Sequence, residues 1–353
     1  MGKIDTAFKT DEQWLIDEGL DPDIYLLDAI THNRWGPEDG DLSKSYVQTK
    51  IKARKKNPDQ AVLPARVDGP KFKKPRTVKS YKTKPKLIVF ASDQHAPYND
   101  KRLHELFLEF LREHKPHEII LGGDLIDMPT VSRHINQPGW AASVQQGVDA
   151  GYLLCRDIRE AAPKAVIKML EGNHDIRLKT ALLKDLKDLY GVGAAIDNPE
   201  DERVAALSLT RLLRLDELKI DLITDPEASS RYETAKIEIC PGLTAIHGLV
   251  ATRGAGRSVV KTMQDLDGSS LIQGHSHRAS LTSRTVHGAD GPRILWGCES
   301  GVMCDMSLAK AYTANPDWSQ GFVMATIWPD SKFILELVRY EESSLLYRGS
   351  RLK

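Results

Sequence analysis

The sequence predicts a layered α/β domain, two packed sheets with helices on their outer faces, preceded by a small helical N-terminal extension. Three observations predict it. Short apolar runs that end in polar residues alternate with helical periodicities from residue 86 to residue 170. The half beyond residue 230 is richer in short strand-like runs than in helical ones. Hydrophobic residues make up 41% of the 353, enough for one large core and a small one.

The elements follow in order. Asp11 to Glu18 carries Trp14, Leu15 and Ile16, with Gly19 placed to stop a helix. Asp21-Pro22 is placed to start a second one, with Ile24, Tyr25, Leu27 and Ile30 on its apolar face. Such a helix pair serves either as a docking or capping element or as a DNA-binding helix-turn-helix. Residues 50–86 are rich in Lys, Arg and Pro and read as a mobile or loosely docked linker. Leu87–Ala91, Glu118–Leu121 and Val166–Leu170 read as buried strands, and Lys101–His114 and Ser143–Ala161 as the helices between them. Residues 176–216 read as a helical insertion. Strands are expected at Ala235–Ile239, Leu243–His247, Ser270–Gln273, Ile294–Trp296, Gly321–Trp328 and Phe333–Val338, with a helix over Gly256–Leu266. The boundaries are 1–43 for the N-terminal element, 44–85 for the basic linker, 86–340 for the main domain and 341–353 for a C-terminal tail.

Charge is unevenly spread although the net charge is zero. Residues 1–43 hold eleven acids and three bases; residues 44–86 hold fifteen bases and two acids. A basic block beside an acidic one is either a polyanion-binding segment or a solvated linker. Nucleic acid is the partner expected for 50–86; a homo-oligomer or a partner protein is the alternative. No apolar run approaches the roughly 20 residues of a membrane helix, and Met1 to Thr10 has no signal-peptide core, so a cytoplasmic protein without membrane contact is expected. Cys155, Cys240, Cys298 and Cys304 form no C-x-x-C pair and are expected to be free, buried thiols.

Five short motifs fall at the ends of expected strands. They are Asp93-Gln94-His95, Gly122-Gly123-Asp124-Leu125-Ile126-Asp127, Gly172-Asn173-His174-Asp175, His247-Gly248 and Gly274-His275-Ser276-His277. Each alone is weak: a D-x-H triplet is common, and a lone His-Gly is more often a capped turn. Together they offer carboxylate oxygen, amide oxygen and imidazole nitrogen from loops that a sheet edge can gather, a donor set for hard or borderline cations.

The series D-x-H, G-D-x-x-D, G-N-H-D, H-G and G-H-x-H resembles that of the calcineurin-like metallophosphoesterases, in the same order, over about Lys86 to Val338. The resemblance implies a four-layer α/β/β/α sandwich and an enzyme that hydrolyses phosphate esters with two divalent metal ions, manganese foremost, with iron, zinc, nickel or magnesium as alternatives. It implies that Asp93, His95 and His277 bind one ion, that Asn173, His247 and His275 bind the other, and that Asp124 bridges them. His174 would face the scissile group, Asp175 would orient His174, and Asp127 would support a ligand or the Asp124 loop. Such a pair of ions attracts phosphate and lowers the pKa of water from 15.7 toward about 7.

The substrate is less determined. Where the protein-phosphatase branch carries an Arg after the second Asp, this chain has Met128. The G-N-H-D form and the basic block fit a phosphodiesterase or nuclease acting on DNA, of the type found in bacteria and their viruses. The alternatives are a phosphomonoesterase for a nucleotide or phosphoprotein, and a nucleic-acid-binding module with little catalysis. Arg133, His134, Arg253 and Arg257 are candidate substrate contacts. Trp318 is expected near the cleft and Trp296 in the core.

Overall fold

The computed structural model describes residues 9–35, 46–56, 84–132, 141–198, 203–225, 231–266, 268–288, 291–307 and 316–353. The chain divides into two compact units, Met1–Ser80 and Tyr81–Lys353.

In the first unit, α1 (Asp11–Asp17) starts at Thr10, whose hydroxyl accepts the Gln13 N–H at 3.3 Å. The second expected helix is instead a strand. The Asp21 carboxylate accepts the Asp23 N–H at 2.9 Å, a local turn that competes with helix initiation. The chain then enters β1 (Tyr25–Trp35), antiparallel to β2 (Tyr46–Lys55). Tyr25, Ile30 and Thr31 favour a pleated surface once a partner strand exists. That partner occupies the first part of the segment read as a linker. Its Val47, Thr49, Ile51 and Ala53 alternate with Gln48, Lys50, Lys52 and Arg54, a period of two that the density of charge hides. Residues 57–83 lie outside the described residues.

In the second unit, parallel strands β3 (Lys86–Ala91), β4 (Glu118–Leu121), β5 (Val166–Leu170) and β6 (Ile220–Ile223) form one half of an eight-stranded sheet. A five-stranded sheet contains β7 (Lys236–Cys240), β8 (Leu243–Ile246), β9 (Ser270–Gln273), β10 (Ala279–Gly288) and β11 (Gly291–Ser300), in the order β10-β11-β9-β8-β7. β12 (Gly321–Ile327) returns to the first sheet antiparallel to β3. β13 (Phe333–Glu341), β14 (Ser344–Tyr347) and β15 (Ser350–Leu352) extend it outward. Residues 341–353 are therefore two sheet strands and not a tail; buried Leu345 anchors them.

The helices are α2 (Lys101–His114), α3 (Val144–Ala161), α4 (Arg177–Asp185), the single turn α5 (Leu209–Leu212) and α6 (Arg257–Asp265). The α2 start is capped by Asp100, which accepts the Leu103 N–H at 2.9 Å, and α3 begins with a Ser143–Gln146 capping box. Each such cap contributes on the order of 1 kcal/mol.

Alternation along β3 explains its continuous apolar run. Val89 and Ala91 face Leu103, Phe107 and Ile158 of α2 and α3. Ile88 and Phe90 face the second sheet, where Leu243, Ala245 and Ile272 meet them. Val259 and Met263 of α6 cover that sheet's outer side over Ile246, Leu271 and Leu295. The layers are thus helix, sheet, sheet, helix, as the sequence implies. β6 and β10 were not anticipated. β6 has four residues, just past the segment 176–216 of helical texture, and β10 carries exposed or half-buried residues with no apolar run. Trp296 is 40% exposed on β11, not in the core. All four cysteines are free and buried. No described helix is long and apolar enough to cross a membrane.

Candidate metal centre

Three parallel strands of one sheet, β3, β4 and β5, and the parallel pair β8 and β9 of the other each end in one motif. A parallel arrangement delivers its C-terminal loops to one edge, so the five motifs meet there. Donor atoms of Asp93, His95, Asp124 and His277 all lie within 4.8 Å of one another, as do those of Asp124, His247 and His275. Asn173 joins the second group: its Oδ1 is 3.1 Å from His247 Nε2 and 2.8 Å from His275 Nδ1. The two groups share Asp124, so all seven predicted ligands form one cluster.

The backbone is strained to achieve this. Asp93, His95, Asp124, His275 and His277 have φ of 58°, 50°, 51°, 62° and 58°, in the left-handed region that non-glycine residues avoid. Interlocking bonds hold them there. The Asp93 N–H donates to Gly123 O and the His95 N–H to Asp124 O, each at 3.0 Å. The His275 N–H donates to the Asp93 carboxylate at 3.0 Å. Gly172 and Gly274 admit no side chain, because a Cβ would overlap Asp124 at the first position and Ser92 and Asp93 at the second.

Electrostatics suit a cation. Burial raises the cost of charge on Asp93 and Asp124, yet His277 beside the first, and His247 and His174 beside the second, hold both carboxyls below their ordinary range, Asp124 well below. His95 Nε2 and His277 Nε2 face each other at 3.1 Å, with Asp93 Oδ1 3.2 Å from His277 Nε2. Two buried carboxylates and four imidazoles turn their oxygen and nitrogen atoms on common points. Divalent cations at those points would satisfy them, and the oxygen and nitrogen donors fit manganese, iron or zinc. Burial lowers the His247 pKa, but Asp124 outweighs it and lifts the group to about 9. Burial and His247 push His275 down to about 4. His247 is therefore protonated at neutral pH before a cation enters and must lose that proton to ligate. Metal affinity is expected to rise with pH between 6 and 8. Calorimetric titration in buffers of different ionisation enthalpy should show proton release on uptake; heats independent of buffer would refute this.

His174 is placed as expected and held differently. Its Nδ1 donates to Asp127 Oδ1 in a very short bond, and its Nε2 lies 3.1 Å from the Arg177 guanidinium and 3.8 Å from Asp124 Oδ2. Asp175 does not orient it. The Asp175 carboxylate accepts the Gly172 N–H at 2.9 Å and the Ile126 N–H at 3.2 Å, tying the β5 loop to the β4 loop. Burial, reinforced by Asp124, pushes the Asp175 carboxyl up to about 7. Orientation falls to Asp127, whose carboxyl burial would raise but His174 and His95 hold far down.

Arg177, at the first residue of α4, was missed. It donates to Asp127 O at 2.5 Å, and its side chain is 15% exposed. The available signal was its position three residues after His174 at a loop-to-helix junction, the spacing that places two side chains together. It also lines a groove of about 590 Å³ with Ser132, Asn173, Lys184, Tyr232 and Glu233. Trp318 stands edge-on to His277 at 4.1 Å between ring centres, and Arg278, paired with Asp317 at 2.7 Å, braces that loop. Arg253 and Arg257 are not brought into the cluster. Both are exposed; Arg257 lines a different groove with Lys261 and Ser280, and Arg253 sits in a loop tied to Asp317 through the Gly254 N–H. Arg133 and His134 lie outside the described residues.

No family model matches the chain. It is 26% identical over 254 residues to the Gene 54 protein of Mycobacterium phage L5, covering 69% of this chain and 89% of that one. The Gene 54 protein of phage D29 is 26% identical over 251 residues with the same coverage. Among solved structures, a vacuolar protein sorting 29 from Cryptosporidium parvum is 14% identical, covers 74% of this chain and all of that chain, and gives a TM-score of 0.33. YfcE, a phosphoesterase from E. coli, is 15% identical over 72% of this chain and all of that one, with a TM-score of 0.31. PhoD is 10% identical over 88% of this chain and 71% of that one, with a TM-score of 0.36. The motif series, the strand ends that carry it and the convergence of its side chains agree with the resemblance to the calcineurin-like metallophosphoesterases read from the sequence.

Proposed function

We propose that this chain is a two-metal phosphoesterase and that its substrate is a phosphodiester of DNA. The observation that carries the first half is the convergence of Asp93, His95, His277, Asn173, His247 and His275 around a shared Asp124. Held there, two divalent ions, manganese foremost, supply positive charge for a phosphate and lower the pKa of water toward about 7. The protein's own groups do the rest. Asp124 keeps the two halves of the site in register, and Asp127 fixes His174 by its Nδ1 so that Nε2 faces the cluster. Arg177 presents a fixed cation beside His174, where a phosphate oxygen or a leaving oxygen can be met.

The diester reading rests on space. The groove beside Asn173 gives a second ester substituent somewhere to lie, with Lys184 and Tyr232 along it. Met128 is fully buried, so that position offers no grip for a terminal phosphate. One observation favours a monoester instead: Arg177 could grip a terminal phosphate from a different part of the chain. Purified protein with manganese should hydrolyse bis-p-nitrophenyl phosphate faster than p-nitrophenyl phosphate and should nick DNA, and chelation should abolish both. A strong monoester preference with intact DNA would defeat the diester reading and leave the phosphoesterase reading standing.

A further inference from the structure

The β1–β2 ribbon has two unlike faces. Pairing sets Leu26 opposite Arg54, Ala29 opposite Lys52, Thr31 opposite Lys50 and Asn33 opposite Gln48, and cross-strand partners share a face. All eight are exposed. On the reverse face Leu27, Ile30, Ile51 and Ala53 are half-buried, His32 bonds Thr49 at 2.9 Å, and the Trp14 ring of α1 lies 5.9 Å from the His32 ring. One face therefore has α1 against it, and the other is open, polar and basic.

We propose that this open face binds duplex DNA by lying in the major groove. A merely solvated strand face mixes both charge signs. This one carries Lys50, Lys52 and Arg54, and the one acid within the two strands is Asp28 in the bulge, paired with Arg54 at 2.9 Å. That pair is 60% and 32% exposed, so it is weak enough for a phosphate or base to displace. The other side chains are Thr31, Asn33 and Gln48. Lys and Arg suit guanine edges, Asn and Gln suit adenine, and a threonine methyl suits thymine. A two-stranded ribbon fits the roughly 12 Å major groove of B-DNA, and about ten paired residues at ~3.3 Å each span roughly one helical turn. Duplex RNA has a major groove too narrow to admit it. A membrane surface is a poorer match, since between the Leu26–Arg54 and Asn33–Gln48 pairs Leu26 is the one large apolar side chain on this face.

The inference stands apart from the metal centre, and its test keeps the two separate. Full-length protein is titrated into fluorescent duplex DNA, single-stranded DNA and duplex RNA across a salt series. The wild type should prefer duplex DNA. The triple variant K50Q/K52Q/R54Q should bind it about tenfold or more weaker, with a slope of log Kd against log salt shallower by about 2–3. A matched triple at exposed lysines elsewhere, K164Q/K236Q/K261Q, should not change the slope comparably. Small-ester hydrolysis should be unaltered in the ribbon variant; if the wild type itself hydrolyses nothing, the catalytic reading fails and the ribbon is still judged by binding. In the unsubstituted protein, duplex DNA should shield Lys50 and Lys52 from acetylation relative to Lys236 and Lys261. Equal acetylation, equal loss in both triples, or a preference for single strands or RNA overturns the proposal.

Discussion

Replacing Asp124 by alanine should empty both metal positions together and remove essentially all hydrolysis. The side chain is buried, and its Oδ2 stands 3.4 Å from His247 Nε2 and 3.8 Å from His174 Nε2, within the donor clusters of both halves of the site. It also accepts the His174 N–H at 2.8 Å, so its loss loosens the β5 loop that carries Asn173. Losing a partner behind a ligand typically costs ~10–100-fold in metal affinity, and losing a ligand common to two ions should exceed that. Metal analysis of the purified variant should find neither ion, with thermal stability lowered because four imidazoles then face one another with Asp93 alone of the two cluster carboxylates. Asp124→Asn separates charge from geometry: the amide oxygen can keep the bond to His174, so metal loss there isolates the charge. If Asp124→Ala retained one ion at full occupancy, the shared-ligand arrangement would be wrong.

The parts of this arrangement that were legible in the sequence share one physical cause. A buried parallel strand is apolar on both faces, so its end is marked by the first polar residue, and functional groups sit just past it. That is why the sequence alone places Asp93, Asp124, Asn173, His247 and His275 on one edge. What was not legible depended on direction within a loop or on a partner distant in sequence. Asp175 follows His174 directly and seemed its natural partner. Consecutive side chains in a tight turn point apart, however, and Asp175 closes the turn through backbone N–H groups while Asp127, from another strand, reaches the imidazole. β1 reads as a helix from Asp21-Pro22 alone; only the pairing with β2 makes it a strand. β14 and β15 have only four and three residues, too short a run to announce a strand, and pairing with β13 and with each other supplies the bonds that define them. Arg177 was passed over because an arginine at a helix start looks like any surface cation until His174 is seen beside it.

His174→Ala should leave both ions in place and slow turnover by about 10²–10⁴-fold, the range expected for losing a positioned proton donor or acceptor. None of the seven ligand side chains is replaced, and His174 meets the cluster only as a neighbour, 3.8 Å from Asp124 Oδ2. The Asp127 bond and the Arg177 contact occupy opposite sides of its ring, so the imidazole is held in one orientation with Nε2 toward the cluster. Asp127→Asn should reproduce part of the defect: the amide can still bond the ring but no longer favours a proton on Nδ1, so kcat should fall with KM little changed. Arg177→Ala should instead raise KM for an anionic ester more than it lowers kcat, because a fixed cation beside the site contributes to binding as well as to the departing charge. A double variant, His174→Ala with Asp127→Asn, should be no slower than His174→Ala alone, since the carboxylate acts through the ring. If the two losses multiplied, Asp127 would be acting on the metal loop or on His95, which it faces at 3.5 Å, and not through His174.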